Sequence, residues 1–274
     1  MTTQSSIQRI TSRANPLVKR LRQGAVQTSV YRNDGQIWLE GDHLCRAALA
    51  RKQVVSHAFF AESLWEEESK LWSGCAPVIT LMPDELFSFI SGLESPSRMG
   101  FMLQLSEHKA IDPKAMTVVL DRLQDAGNVG SILRSAGAFG VKQVLALQGT
   151  AALWSPKVLR AGMGAHFGLQ LMEGLSESDL DALVVPRIAT SSHQGPFLHE
   201  WIQHSNWPHP CAWLLGHEGQ GLSESLLLSA KYCVRIAQPG GEESLNVAAA
   251  AAICLHASAS VYLNAHKIPA SVSP

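Results

Sequence analysis

The chain has 274 residues, 46% of them hydrophobic and 16% charged, which suits one large or two modest globular domains and excludes a disordered chain. The formal net charge of −1 excludes attachment to nucleic acid by bulk charge alone. Five cysteines without a CxxC pair and eleven scattered histidines indicate buried thiols and no metal site. No apolar signal-peptide core lies in residues 1–13, and the apolar run 247–255 is too short to span a bilayer, so we expect a cytoplasmic protein.

Charge is unevenly distributed along the chain. Residues 1–52 hold nine Lys and Arg against three Asp and Glu, whereas residues 53–110 hold three against eight. A basic face near a chain terminus is either a solvated helix surface or an arm that contacts phosphates. The cations that form this face are Arg9, Arg13, Lys19, Arg20 and Arg22.

The first hundred residues alternate between predicted strands and helices. Asn15-Pro16 is a helix cap followed by a first-turn proline, which predicts a basic helix over 14–30. The alternation predicts a small α/β domain over 1–106, followed by a polar linker over 107–114. Its other predicted strands are 37–41, 54–60, 78–82 and 99–105, and its other helices are 42–50, 63–72 and one that begins at 83–84.

The alternation restarts at Thr117 with short apolar strands between longer helices, which predicts a parallel sheet covered on both faces. We expect this second domain over 115–267 and a frayed tail over 268–274. The predicted strands are 117–121, 143–147, 187–190, 212–216 and 233–236, and the helices are 129–139, 156–162, 222–230 and 246–262.

Three glycine-rich segments of the second domain each join a strand to a helix: 121–140, 214–223 and 236–247. Glycines let backbone N–H groups approach a ligand, and a helix N-terminus adds unpaired donors and the positive end of the helix dipole. Each segment also carries more polar side chains than a turn requires. The three segments therefore predict a binding or catalytic site.

In chain order the segments read N-x-G-x-x-x-R from Asn128, G-x-E-G-x-G-L from Gly216 and S-L-N-V from Ser244. With these motifs the chain resembles the SpoU/TrmH family of RNA ribose 2′-O-methyltransferases, in the SPOUT class. Residues 10–16 and 38–41 look like the start of the small RNA-recognition domain of that family, with its ribosomal-protein-like fold. The resemblance thus extends over nearly the whole chain, and its N-terminal part is less specific.

The resemblance implies an α/β fold with a C-terminal trefoil knot, S-adenosylmethionine as cofactor, ribosomal or transfer RNA as substrate, and a homodimer formed through the C-terminal domains. The family usually has Ile-Pro-Met where this chain has Ile236-Ala237-Gln238, a change that backbone contacts should survive. The cofactor-binding residues implied are Leu215, Gly216, Glu218, Gly219, Gly221, Ile236, Gln238, Ser244, Leu245 and Asn246.

The resemblance also implies a catalytic set. Arg134 is proposed in such enzymes to assist deprotonation, but arginine keeps its proton at neutral pH, so a clamp on a phosphate of the target nucleotide is physically easier. Asn246 would fix the geometry of Arg134 or Glu218. His217 stands where the family has Asn or Ser, and we assign it no catalytic role. The catalytic set is Asn128, Arg134, Glu218, Ser244 and Asn246.

RNA contacts are expected at the basic N-terminal face and at Arg134. A catalytically silent RNA-binding or ribosome-assembly protein on the same fold is an alternative that the complete motif set argues against. A nucleotide-binding oxidoreductase is disfavoured, because the third glycine of a G-x-G-x-x-G pattern that starts at Gly162 would fall at Phe167, and no strong strand precedes this run. The motifs do not identify the RNA or the nucleotide. The expected RNA-binding residues are Arg13, Asn15, Lys19, Arg20, Arg22 and Arg134.

Overall fold

A computed structural model describes residues 5–105, 110–203, 207–240 and 244–266 of the chain. The chain divides into two compact units: residues 1–107 with 154–167, and residues 108–153 with 168–274. Residues 154–167 are thus grouped with the first unit, although the sequence placed them in the second domain. Residues 107–109 of the predicted linker 107–114 lie outside the described residues, as does the whole predicted tail at 268–274.

The first unit contains a mixed five-stranded sheet in the order β1-β4-β3-β5-β2. Strands β1, β4 and β3 are parallel, and β5 runs antiparallel to both β3 and β2. The elements are β1 (Ser6–Arg9), α1 (Pro16–Val26), α2 (Tyr31–Asp34), β2 (Gln36–Glu40), α3 (Asp42–Ala50), β3 (Val55–Ala61), α4 (Glu62–Trp72), β4 (Val78–Met82), α5 (Asp84–Ile90) and β5 (Met99–Gln104).

Helix α1 is shorter than the predicted 14–30. It begins at Pro16 after the side chain of Asn15 accepts a hydrogen bond from the backbone N–H of Leu17, and it ends at Val26. Val18 and Leu21 are fully buried, so the cations of this helix lie on its outer side. Strand β1 was missed because all four of its side chains are exposed and give no apolar alternation.

The second unit contains a six-stranded parallel sheet in the order β11-β9-β10-β6-β7-β8, which confirms the predicted α/β class with a parallel sheet. Strand β8 was missed because it is an edge strand of half-buried residues. The elements, with α7 from the first unit, are β6 (Thr117–Leu120), α6 (Ala126–Ala138), β7 (Gln143–Leu147), α7 (Pro156–Gly162), β8 (Gln170–Leu175), β9 (Arg187–Thr190), α8 (Leu198–Trp201), β10 (Ala212–Leu215), α9 (Glu224–Ser229), β11 (Tyr232–Val234) and α10 (Val247–His266).

Helix α10 extends further than the apolar run in the sequence, and by length and composition it could cross a membrane. It packs against α6 in this unit. The fully buried indole of Trp213, on the central strand β10, donates a hydrogen bond to Ser258 Oγ of α10 at 2.9 Å. These contacts make α10 a covering helix of the second sheet, since Cys254 and Leu255 are also buried.

Candidate active site

The site lies where the neighbouring strands β6 and β10 end. The backbone N–H of Asp121, the residue after β6, donates to the carbonyl of Leu215 at the end of β10. In parallel sheets, ligands bind at the carboxyl ends of strands. The motifs that begin at Asn128 and Gly216 follow these two strands, so the fold brings them to one edge of the sheet.

The second motif is a loop that folds back on itself. His217 and Gly221 exchange two backbone hydrogen bonds, of 3.0 and 2.8 Å. A Cβ atom on Gly216 would lie 2.2 Å from the backbone carbon of Gly221, so only glycine fits there. The imidazole Nδ1 of His217 accepts hydrogen bonds from the backbone N–H of Gly219, at 3.0 Å, and of Gln220, at 3.3 Å. His217 therefore stabilises the turn, a role that needs Nδ1 unprotonated.

Glu218 projects from this loop to the start of α6. Its Oε1 accepts hydrogen bonds from the backbone N–H of Asp125, at 3.2 Å, and from Asn128 Nδ2, at 3.3 Å. Its Oε2 accepts from the backbone N–H of Gln124, at 3.4 Å. The carboxylate thus accepts hydrogen bonds from backbone N–H groups just before α6, where the helix dipole also favours negative charge.

The third motif joins this network through Asn246. Its Nδ2 donates to Asn128 Oδ1 at 2.9 Å, while its Oδ1 caps α10 by accepting from the backbone N–H of Ala248, at 2.9 Å, and of Ala249, at 3.3 Å. A continuous chain of hydrogen bonds therefore runs from Asn246 through Asn128 to Glu218. Three of the five predicted catalytic residues therefore meet through hydrogen bonds that join positions 90 and 118 residues apart in sequence.

The carboxylate of Glu218 is held in its charged form. Burial raises its pKa, but hydrogen bonds from its own backbone N–H, from the Asn128 amide and from the backbone N–H groups of Asp125 and Gln124 together lower the pKa below its ordinary value of 4.5. Glu218 is therefore an acceptor at neutral pH. A carboxylate in this state orients the amide of Asn128, whose donor faces it.

Arg134 and Ser244 stand apart from this network. Arg134 is exposed on α6, and it forms no hydrogen bond or ion pair with the rest of the described chain. Ser244 is exposed and Leu245 is 40% exposed, directly after residues 241–243, which lie outside the described ranges. Their predicted roles stay predictions.

The segment after β11 carries the other predicted cofactor contacts. Ile236 and Gln238 are half-buried. The side-chain oxygen Oε1 of Gln238 is buried and has no hydrogen-bond partner within the described ranges. A buried acceptor without a donor is costly, so this oxygen suits a ligand that brings an N–H or O–H group.

Sequence reasoning missed the roles of two residues that follow β6, Asp121 and Arg122. Asp121 is almost fully buried, and its carboxylate binds the guanidinium of Arg122 at 2.7 and 2.8 Å and the backbone N–H of Ser223 at 2.9 Å. The sequence does contain a signal that could have revealed them, because two adjacent residues of opposite charge directly follow a buried strand. Asp125 caps α6, since its Oδ1 accepts a hydrogen bond from the backbone N–H of Asn128 at 2.7 Å.

In the first unit, the predicted RNA-binding residues differ in how they are engaged. Arg20 forms an ion pair with Asp34 at 2.8 Å. The guanidinium groups of Arg13 and Arg22 lie over the ring of Phe89, 5.0 and 4.6 Å from its centroid. Lys19 is exposed and has no ion pair with a described residue, while Asn15 is used as the cap of α1.

Within the described ranges, no group of three or more His, Cys, Asp or Glu residues could hold a metal ion.

Residues 115–256 match the profile of the SpoU rRNA Methylase family. An uncharacterized tRNA/rRNA methyltransferase from Synechocystis is 32% identical, over 92% of this chain and 93% of its own. The 23S rRNA (guanosine(2553)-2′-O)-methyltransferase RlmP of Bacillus subtilis is 28% identical, over 80% of this chain and 86% of its own.

The fold is also that of a solved structure, an AdoMet-bound rRNA methyltransferase from Sinorhizobium meliloti. The TM-score is 0.78 at 24% identity, and the match covers 92% of this chain and 97% of the other.

Proposed function

Because the chain belongs to the SpoU rRNA Methylase family, we propose that it transfers a methyl group from S-adenosylmethionine to a ribose 2′-hydroxyl of structured RNA, ribosomal or transfer RNA. The observation that carries this proposal is the hydrogen-bonded chain from Asn246 through Asn128 to Glu218. A silent RNA-binding protein would need no such chain among three separate motifs, so the enzyme is favoured.

The residues around the glycine loop fit the cofactor. Gly216 lets the loop close on itself, and Gly221 leaves open space where a side chain would stand, so a flat ligand can lie against the backbone there. The side-chain oxygen of Gln238, which has no partner among the described residues, would accept a hydrogen bond from a donor such as an adenine amino group. S-adenosylmethionine would supply a methyl group that is already activated for transfer, so the protein has to position the two reactants.

The protein's own task is to orient the 2′-hydroxyl and to balance charge around it. We assign to Arg134 the clamping of a phosphate of the target nucleotide, since its side chain is exposed, forms no hydrogen bond or ion pair with a described residue, and carries a planar fork that matches phosphate geometry. Holding the hydroxyl in line is the main catalytic contribution that such a clamp makes. Glu218 and Asn246 act through Asn128 to fix the edge of the site on which α6 begins.

A homodimer through the second unit accompanies this proposal. Helix α10 is mostly apolar, yet less than a third of its most apolar stretch is buried, and Ile253 is 41% exposed. A second copy of the chain would cover this surface. Sedimentation of a monomer alone at micromolar concentration would contradict the dimer.

Three further features are proposed on family grounds: a trefoil knot in the second unit, a ribosomal-protein-like RNA-recognition domain in the first, and a cytoplasmic location. The stacked guanidinium groups of Arg13 and Arg22 and the free ammonium of Lys19 support RNA binding by the first unit.

Calorimetric titration of the purified protein with S-adenosylmethionine tests the proposal, with NAD as the control. Binding of S-adenosylmethionine alone is expected, and ribose methylation mapped in a deletion strain then identifies the RNA. Binding of NAD alone would overturn the proposal. If neither binds, the titration is repeated with total RNA; continued absence of binding identifies a silent RNA-binding protein.

A further inference from the structure

Arg122 has a backbone conformation that residues other than glycine rarely adopt. Its φ is 57°, in the left-handed region, where only two other non-glycine residues are described: Lys52 and Met163. Such a conformation costs free energy and persists where the surrounding contacts hold it. The contacts of Arg122 indicate what holds this conformation and what it contributes to the site.

The guanidinium of Arg122 is held on two sides. Its Nε and Nη2 donate to the two carboxylate oxygens of Asp121, at 2.7 and 2.8 Å. Its Nη1 donates to Gln220 Oε1 at 3.2 Å, and Nη2 lies 3.5 Å from the carbonyl of Gly221. One planar fork therefore joins the end of β6 to the glycine loop after β10.

The same carboxylate has a second grip on that loop. Asp121 Oδ2 accepts a hydrogen bond from the backbone N–H of Ser223 at 2.9 Å. The stem of Arg122 passes over Gly149, where an added Cβ would lie 3.2 Å from Arg122 Cγ. The aliphatic part of the Arg122 side chain thus packs against Gly149, and its charge is balanced by the almost fully buried Asp121.

We propose that Arg122 is a positioning residue that latches the loop from Gly216 to Ser223 in its cofactor-binding shape, with Asp121 as the anchor of the latch. This inference rests on the proposed function, since the loop is there the cofactor-binding segment. In this left-handed conformation the guanidinium of Arg122 reaches both Asp121 and Gln220. Arg122 does not serve as an RNA clamp, because four of its hydrogen-bond contacts are made within the protein.

The decisive variant is Arg122→Gly. Glycine adopts the left-handed conformation freely, so this change removes the guanidinium without adding backbone strain. Lys52→Gly is the matched control, because Lys52 has φ 54° and lies at the end of α3, outside the latch. Arg122→Lys keeps one charge beside Asp121 but cannot fork to Gln220 at the same time.

We expect Arg122→Gly to raise the Kd for S-adenosylmethionine roughly tenfold, and the KM for the cofactor with it, while kcat at saturating cofactor changes less than about twofold. Arg122→Lys should recover part of the affinity, and Lys52→Gly should match the wild type. Faster hydrogen exchange at Ser223 with an unchanged melting temperature would place the effect in the loop.

An unchanged Kd in a folded Arg122→Gly protein overturns the latch. An increase in the KM for RNA alone would also overturn it, because it would make Arg122 an RNA contact. If the wild type binds no S-adenosylmethionine, with or without RNA, the proposed function fails first, and the exchange rate at Ser223 still decides whether Arg122 holds the loop.

Discussion

The two units use their polar side chains in opposite ways. In the second unit, side chains from three distant segments bond to one another, as Asn246, Asn128 and Glu218 do, at the carboxyl ends of neighbouring parallel strands. In the first unit, Arg20 of the basic face pairs with a nearby carboxylate, and Arg13 and Arg22 stack on Phe89. The arrangement in the second unit is preorganised for chemistry. The arrangement in the first unit suits the docking of an RNA surface that can vary.

The sheets explain the difference. A parallel sheet collects the loops after its strands at one edge, so residues far apart in sequence meet there. The mixed sheet of the first unit distributes its connections over both ends. If this comparison holds, substitutions in the second unit should affect turnover, and substitutions in the basic face should affect RNA affinity and its salt dependence.

The largest effect is expected for Arg134→Ala. Loss of a preorganised charge at the reacting group typically lowers kcat by about 10²- to 10³-fold. Binding of S-adenosylmethionine should change less than about twofold, because the exposed Arg134 forms no hydrogen bond or ion pair with the described part of the cofactor loops. Single-turnover methylation of the mapped RNA measures the first quantity and calorimetry the second. Lys142→Ala, which removes another exposed cation of the same unit, is the control.

A smaller effect separates the two hydrogen-bonding roles of Asn246. Asn246→Ser keeps an oxygen that can cap α10 but loses the amide that donates to Asn128, whereas Asn246→Ala loses both. We expect methylation to fall roughly tenfold in each variant, as for a misplaced supporting residue. Only the alanine variant should lose about 1 kcal/mol of stability, the usual value of a cap. Equal activity of the serine variant and the wild type would refute a role for the Asn246–Asn128 bond.

The sequence predicted the framework of this site but not its bonds. Buried runs such as 117–120 and 212–215 are unambiguous as parallel strands, and the motifs that follow them had to meet. That Glu218 binds the backbone of Gln124 and Asp125 could not be read from spacing, because backbone donors carry no sequence signal. The edge strands β1 and β8 lack the apolar alternation that reveals a strand, so they were missed.

On the basic face, Lys19 and Arg20 are neighbours that should behave differently. The ammonium of Lys19 is exposed, whereas the charge of Arg20 is already balanced by Asp34 at 2.8 Å. Lys19→Ala should lower the slope of log affinity against log salt by about 1, the value for one lost phosphate contact. Arg20→Ala should lower it by less. Filter binding of the RNA over a salt series measures both slopes, and identical slopes in the two variants would argue that ion pairing does not set the RNA contacts.

The smallest effect concerns pH. The lowered pKa of Glu218 keeps its carboxylate charged from neutral pH down to its ordinary value of 4.5, so the hydrogen bonds of Glu218 to α6 should survive mild acid. In the first unit, burial lowers the pKa of His57 from 6.5 to about 4, and its ring stacks on Phe59 and lies 2.7 Å from Thr80 Oγ1.

Between pH 6.5 and about 4, the unfolded chain binds a proton that the folded His57 does not, so the free energy of unfolding falls as pH falls through this window. After a discount for solvent screening of this half-buried ring, the loss is about 1 kcal/mol between pH 7 and 5. Urea unfolding of the wild type and of His57→Gln at both pH values isolates this contribution, since glutamine does not titrate. The variant should lose less stability than the wild type on acidification, and an equal loss would mean that other groups carry the pH dependence.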